Sequence, residues 1–134
     1  FGYDLATVQM LFRSYGEAGR SLYLCNLLVD TPFPIFGATA TILFVFLAFD
    51  RQSARTSLVI PPIVFAITDL IENILIVFML QRYPYLSPSF VSSVSLVTQV
   101  KRAAFYLTAG ILPISLIVAI IKAVMQGDTI ASGG

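Results

Sequence analysis

The sequence predicts an all-α fold: an integral membrane bundle of three transmembrane helices with an N-terminal amphipathic interfacial helix. Hydrophobic residues make up 57% of the 134-residue chain and charged residues only 11%, against about a quarter in ordinary soluble domains. Three apolar stretches, separated by short polar segments, are each long enough to cross a hydrocarbon core of roughly 30 Å. We therefore expect residues 1–134 to form a single membrane domain.

The first predicted element is a short amphipathic helix over residues 5–15. Val8, Phe12 and other apolar residues recur there at helical spacing, with polar residues between them. Asp4 is a suitable N-cap, and Gly16 follows the last periodic residue. The run is too short and too polar to span, so we expect it to lie in the membrane interface. The alternative is a helix packed on the bundle as in a soluble protein.

The three membrane helices are predicted over residues 21–49, 58–81 and 90–126, with a short polar loop over residues 50–57 between the first two. The first contains the sequence TPFP at 31–34, whose prolines remove backbone donors and can bend the helix. The third is only mildly apolar in its N-terminal part, so we expect it to cross the bilayer mainly from residue 103. The positive-inside rule favours the N-terminus on the inner side.

Composition excludes several classes of function. The net charge is only +1, and the one basic run is the pair Lys101–Arg102, so we expect no nucleic-acid partner. A single cysteine and the absence of histidine leave no zinc, iron–sulfur or haem ligand set and remove the commonest general base. The sequence therefore predicts a protein that is not an enzyme, with no catalytic residues, no metal site and no cofactor.

The second predicted span carries polar residues within the sequence FAITDLIENILIVF at 65–78. Asp69, Glu72 and Asn73 are three and four residues apart, which places them on one helical face. Counting from the start of the span, we expect Asp69 near the bilayer midplane, where a carboxylate costs roughly 2.5–3.5 kcal/mol on insertion scales. Two carboxylates in one turn also repel, so we expect them to have partners or to be partly protonated.

Candidate partners lie on the neighbouring spans. Lys101 begins the crossing part of the third span, and we expect it to pair with Glu72. Arg102 is about 100° further around that helix, so only one of the two cations faces the carboxylates and the other can snorkel to the interface. Arg20 or Arg102 could neutralise Asp30 on the first span. The predicted intramembrane cluster comprises Asp30, Asp69, Glu72, Asn73, Lys101 and Arg102.

Two interpretations of this cluster compete. In the first, the buried charges fix which helices pair and at what rotation. In the second, the carboxyls line a route for protons, ions or a small polar substrate. We favour the first, because three spans make a thin wall for a water-filled path and no inverted repeat is visible. A third possibility is a pigment- or lipid-binding scaffold, in which Glu72, Asn73 or Gln99 would offer oxygen ligands to magnesium.

Five short motifs stand out against the hydrophobic background: GRSLYL at 19–24, PFPIFG at 32–37 after Asp30, DLIEN at 69–73, RYP at 82–84 and TQVKR at 98–102. Together they resemble a family of small multi-pass membrane proteins, from bacteria and some unicellular eukaryotes, that has no assigned activity. The likeness covers most of residues 5–125. It implies that the family's features include Asp30, Asp69, Glu72, Asn73 and Lys101.

From these observations we expect a non-catalytic accessory or structural subunit of a larger membrane complex, for example in a respiratory or photosynthetic membrane. Its partners would be lipids and other membrane-protein subunits. Its location would be a bacterial inner membrane or an inner or thylakoid membrane of an organelle. The alternative is a small oligomeric transporter, or a proton- or ion-conducting protein, that uses the intramembrane carboxylates.

Overall fold

A computed structural model describes residues 2–132 of the chain, and side chains as far as residue 126. Within that range every regular element is an α-helix: α1 (Leu5–Asp30), α2 (Pro32–Ala48), α3 (Gln52–Arg82) and α4 (Pro88–Ser132). Three stretches are long and apolar enough to cross a membrane, Leu5–Ala48, Gln52–Arg82 and Pro88–Gln126. The predicted all-α fold with three candidate transmembrane helices is confirmed.

Helix α1 is sharply broken at Gly16. This residue has φ 63° and ψ −171°, a backbone conformation that only glycine adopts readily. The break folds the two parts of α1 towards each other, so that the Arg20 guanidinium donates to the Phe12 carbonyl at 3.1 Å. Without a Cβ at position 16, the chain reverses here at little steric cost.

The chain stays helical between α1 and α2. Thr31 has φ −53° and ψ −38°, and its N–H donates to the Leu27 carbonyl at 3.1 Å. The interruption therefore reflects the donors that Pro32 and Pro34 lack, and no loop separates the two helices. The second part of α1 and all of α2 together form the region predicted as the first span.

The connection between α2 and α3 is shorter than the polar loop predicted over residues 50–57. Helix α3 already begins at Gln52, because the Arg55 side chain satisfies carbonyl groups at the end of α2. Its guanidinium donates to the Phe49 carbonyl at 2.5 Å and to the Phe46 carbonyl at 3.0 Å. The polar residues at this position therefore form a short connection between α2, which ends at Ala48, and α3.

Helix α4 is a single element that begins earlier and ends later than predicted. Pro88 occupies the first turn, where its missing N–H would be unpaired anyway. The Ser87 hydroxyl accepts from the Phe90 N–H at 3.3 Å, as an N-cap does. At the other end the helix passes through Gly127 to Ser132, since an internal glycine costs only about 1 kcal/mol relative to alanine.

Helices α2, α3 and α4 pack mainly on one another, while α1 makes fewer contacts with them. Most of the side chains buried between the three helices are small, which lets helix backbones approach closely in a membrane. They include Ala38, Thr41, Val45 and Ala48 from α2, Pro62 from α3, and Ala104, Thr108 and Ser115 from α4.

A second core lies at the end of the bundle that carries the chain's N-terminus. Its side chains are larger. Val8 and Phe12 of α1 pack against Met79 and Leu80 of α3 and against neighbouring residues of the α3–α4 connection and of α4. We call the part of the chain that surrounds this core, residues 2–30 and 74–100, the lobe. The N-terminal part of α1 thus rests on the bundle through its apolar face.

We predict that Gly16→Ala destabilises the protein by about 1–3 kcal/mol, because alanine must adopt the positive φ of the break in α1. The matched control is Gly110→Ala, in the exposed interior of α4 with open space around a new Cβ. That substitution should be neutral or stabilise by up to about 1 kcal/mol. Detergent-titrated unfolding in mixed micelles measures both. Equal free energies of unfolding for the two variants would contradict the role given to Gly16.

Candidate functional site: an ion cluster between α3 and α4

The central feature of the site is one ammonium group between two carboxylates. Lys101 on α4 faces the turn of α3 that carries Asp69 and Glu72. Its Nζ lies 3.2 Å from Asp69 Oδ1 and in direct contact with Glu72 Oε2. The two carboxylate side chains are only 12% and 6% exposed and the lysine 26%. The structure thus contains the buried salt bridge that the sequence predicts.

The other carboxylate oxygen of Glu72, Oε1, accepts a hydrogen bond from a threonine hydroxyl, which in turn contacts a tyrosine hydroxyl. Thr98, one turn before Lys101 on α4, donates its hydroxyl to Glu72 Oε1 at 2.5 Å. The Tyr3 hydroxyl lies 3.1 Å from Thr98 Oγ1 and donates to it when Thr98 donates to Glu72. Burial raises the pKa of Tyr3 above its ordinary range, which keeps the phenol a proton donor. The Tyr3 N–H also donates to Ser95 Oγ at 2.8 Å.

Asn73 connects the cluster to the junction of α1 and α2. Its Nδ2 donates to Asp69 Oδ2 at 3.2 Å and lies 3.4 Å from Thr31 Oγ1. The Thr31 hydroxyl in turn donates to the Leu27 carbonyl at 2.7 Å. The polar contacts therefore extend across all three packed helices and to the N-terminal residues of the chain.

Asp30 lies near the cluster without contacting Lys101. Its carboxylate accepts from Asn26 Nδ2 at 3.0 Å, one turn earlier on α1, and the side chain is exposed. The expected partner Arg20 lies elsewhere, with its guanidinium 5.1 Å from the centre of the Tyr83 ring. The break at Gly16 explains this position, because it brings the start of the second part of α1 close to Tyr83 in the α3–α4 connection.

Two open cavities flank the ion cluster. The first, of about 380 Å³, is lined by the cluster together with Tyr23, Asn26 and Asp30. The second, of about 390 Å³, is lined on the α4 side by Phe105 and by the exposed Arg102. Both cavities include Asp69 and Lys101 in their walls. The structure thus brings the six predicted residues to one region, with Asp30 and Arg102 at the two outer edges.

No fully buried polar atom of the cluster lacks a hydrogen-bond partner. Among the described side chains, the only buried polar atom without a hydrogen-bond partner is Ser115 Oγ, on α4 far from the cluster. In the same part of the chain, no three His, Cys, Asp or Glu side chains gather closely enough to hold a metal ion. The carboxylate oxygens that could serve as ligands are instead occupied by Lys101, Thr98 and Asn73.

Comparison with known proteins does not identify this site. No family model, curated protein or solved structure matches the chain. The family resemblance suggested by the sequence motifs stays a prediction.

Two residues of the network do not follow from the sequence reasoning. Thr98 is three residues before Lys101, a spacing that puts both on one face of α4 and could have identified it. Nothing near Tyr3 indicates its role, because its partners Ser95 and Thr98 lie more than ninety residues away along the chain.

We predict that Lys101→Met destabilises the protein by about 3 kcal/mol, because it leaves two buried carboxylates without their counter-charge. This value is at the lower end of the range for a broken buried pair, since a quarter of the lysine side chain is exposed. The triple variant Lys101→Met, Asp69→Asn, Glu72→Gln should recover most of the loss. Detergent-titrated unfolding measures both. A triple variant as unstable as the single one would show that packing of the lysine stem, and not charge, is what matters.

Proposed function

We propose that this chain is a non-catalytic structural subunit of a larger membrane protein complex, in which the ion cluster fixes the arrangement of the helices. The observation that supports this most is that all four carboxylate oxygens of Asp69 and Glu72 have partners. Lys101 contacts both carboxylates, and the remaining oxygens accept from Thr98 and Asn73. A group prepared to bind a solute would keep a donor or acceptor unpaired, whereas a group that fixes helix pairing needs none.

The outer surface of the bundle supports the need for partners. Large apolar side chains are exposed along every candidate span, for example Phe36 at 72%, Leu43 at 59% and Ile114 at 58%. In a membrane such a surface is covered by lipid or by the helices of other subunits. We propose that lipid covers part of this surface and that helices of other subunits cover the rest. The membrane would be a bacterial inner membrane or an inner or thylakoid membrane of an organelle.

The N-terminal part of α1 fits an interfacial position in this proposal. One face is buried through Val8 and Phe12. The other exposes Met10 and Leu11 beside the polar side chain of Arg13, a mixture that suits the headgroup region better than water or hydrocarbon alone.

We predict that the protein, affinity-purified from its native membranes in a mild detergent such as digitonin, migrates on native electrophoresis in an assembly much larger than 14.6 kDa plus its micelle. Mass spectrometry of that band should identify other integral membrane proteins in fixed proportion. Treatment with SDS is the control and should release the single chain. Migration as a lone monomer before SDS treatment would contradict the proposal.

The second candidate function is conduction of protons or small cations, and the two cavities favour it. Asp69 and Lys101 line both cavities, so two open spaces reach the same ion pair. Three carboxylates, including Asp30, and one ammonium line the first cavity, a balance that favours cations over anions.

Flux into proteoliposomes separates the two candidates. The structural proposal predicts that the wild-type protein carries protons and monovalent cations no faster than empty liposomes. Conduction through the cluster predicts flux that Glu72→Gln abolishes. The matched control is Glu17→Gln, which removes an exposed carboxylate of α1 outside the cluster. Flux in the wild type and in Glu17→Gln, lost in Glu72→Gln, would replace the structural proposal with the conducting one.

A further inference from the structure

Charged and polar groups form two layers across the bundle. The first layer lies where α2 meets α3, and consists of Asp50, Arg55 and Lys122 of α4. The Lys122 ammonium is 2.6 Å from Asp50 Oδ2, and its hydrogen bond lowers the pKa of that carboxylate below the ordinary range. The second layer is the ion cluster with Lys101 and, through Asn73, Thr31.

The distance between the two layers is similar on the three packed helices. From Thr31 to Phe49 there are 18 residues, and from Arg55 to Asn73 also 18, or about 27 Å at 1.5 Å per residue. From Lys101 to Lys122 there are 21 residues, or about 32 Å. These lengths bracket the roughly 30 Å thickness of a bilayer's hydrocarbon core.

Apart from Arg102, which lies next to the ion cluster, the large side chains exposed between the two layers are aliphatic or aromatic. They include Phe33, Phe36, Leu43 and Phe46 on α2, Ile60, Ile63 and Ile67 on α3, and Leu107, Ile114, Ile117 and Ile121 on α4.

The surface of the lobe differs from this apolar band. On α4 it exposes Ser89, Ser92, Ser93 and Gln99, and on α1 it exposes Arg13, Glu17 and Ser21. Large apolar side chains are exposed between these polar ones as well, among them Leu22, Leu28, Ile74, Phe78 and Leu96. Such a mixture is typical of the interface and unsuited to hydrocarbon.

We propose that the acyl chains of the bilayer cover only the band between the two layers, residues 31–49, 55–73 and 101–122, and that the lobe stands in the headgroup region and beyond it. The midplane then falls near residue 64 of α3. Asp69 lies about 7.5 Å from it and Glu72 about 12 Å. Glu72 and Lys101 therefore lie at the hydrocarbon boundary, and Asp69 lies about 6 Å inside it, displaced from the midplane position that the sequence predicts.

This placement accounts for an imbalance in the cluster. Two carboxylates share one ammonium, an arrangement that is costly at the centre of a bilayer. At the boundary the first cavity, with Asp30 and Asn26 at its edge, opens to the hydrated headgroup region. Water there can solvate the surplus charge. The placement holds whether or not the chain has partner subunits.

Thiol reactivity in lipid nanodiscs tests the placement, because both faces of a nanodisc are open to a membrane-impermeant maleimide. The native Cys25 is exposed and lies six residues before Thr31, about 9 Å outside the band. In a Cys25→Ser background, Leu96→Cys, Leu107→Cys and Ile114→Cys replace α4 side chains of nearly equal exposure, 61%, 59% and 58%. They differ only in depth.

We predict that Cys25 and the thiol at position 96 react at least about tenfold faster than those at 107 and 114, since a thiolate does not form in hydrocarbon. All four should react alike after SDS denaturation. Slow reaction at position 96, or fast reaction at 107, would overturn the placement. Cys25 needs no substitution, so slow reaction of the wild-type protein would overturn it even if a variant failed to fold.

Discussion

The structure depends most on a single ammonium group, that of Lys101, placed between the carboxylates of Asp69 and Glu72. In a low-dielectric environment either carboxylate alone would be costly, and together they would repel. With the lysine in place, each carboxylate can also accept hydrogen bonds, from Asn73 and from Thr98. These bonds require α3 and α4 to keep one rotation relative to each other. Through Thr31 and Tyr3 the same requirement extends to the α1–α2 junction and to the N-terminus.

The two apolar cores on either side of this cluster have different characters. Towards the α2–α3 connection, small side chains such as Ala38 and Thr41 let the helices pack closely, as is usual where lipid and protein are equally apolar. Towards the N-terminus, larger side chains such as Phe12 and Met79 form the core of the lobe. The cluster lies where one kind of packing gives way to the other. Charged groups are less costly at the edge of the hydrocarbon core than at its centre. The proposed position of the bilayer therefore agrees with the change in packing at the cluster.

The sequence predicts the spans and the central ion pair because both follow from local patterns. Long apolar stretches indicate membrane helices, and the spacing of Asp69, Glu72 and Asn73 indicates one helical face. Other features depend on contacts between distant residues. The reversal of the chain at Gly16 sends Arg20 to Tyr83 and leaves Asp30 with Asn26. The observed connection between α2 and α3 is shorter than the loop predicted at 50–57, because the Arg55 side chain donates to carbonyls at the end of α2. Composition does not reveal this contact. The role of Tyr3 requires the folded N-terminus.

The central claim is that Lys101 and Glu72 form a direct ion pair within the folded protein in a bilayer. Solid-state NMR tests this most directly, through the dipolar coupling between the ¹⁵N-labelled ammonium of Lys101 and the ¹³C-labelled carboxylate of Glu72 in lipid bilayers. We predict a nitrogen–carbon distance of about 4 Å or less, as a salt bridge requires. Loss of the coupling in Glu72→Gln, with the coupling retained in Glu17→Gln, assigns it to this pair. A distance beyond about 6 Å, or a mobile lysine signal typical of solvated side chains, would contradict the account.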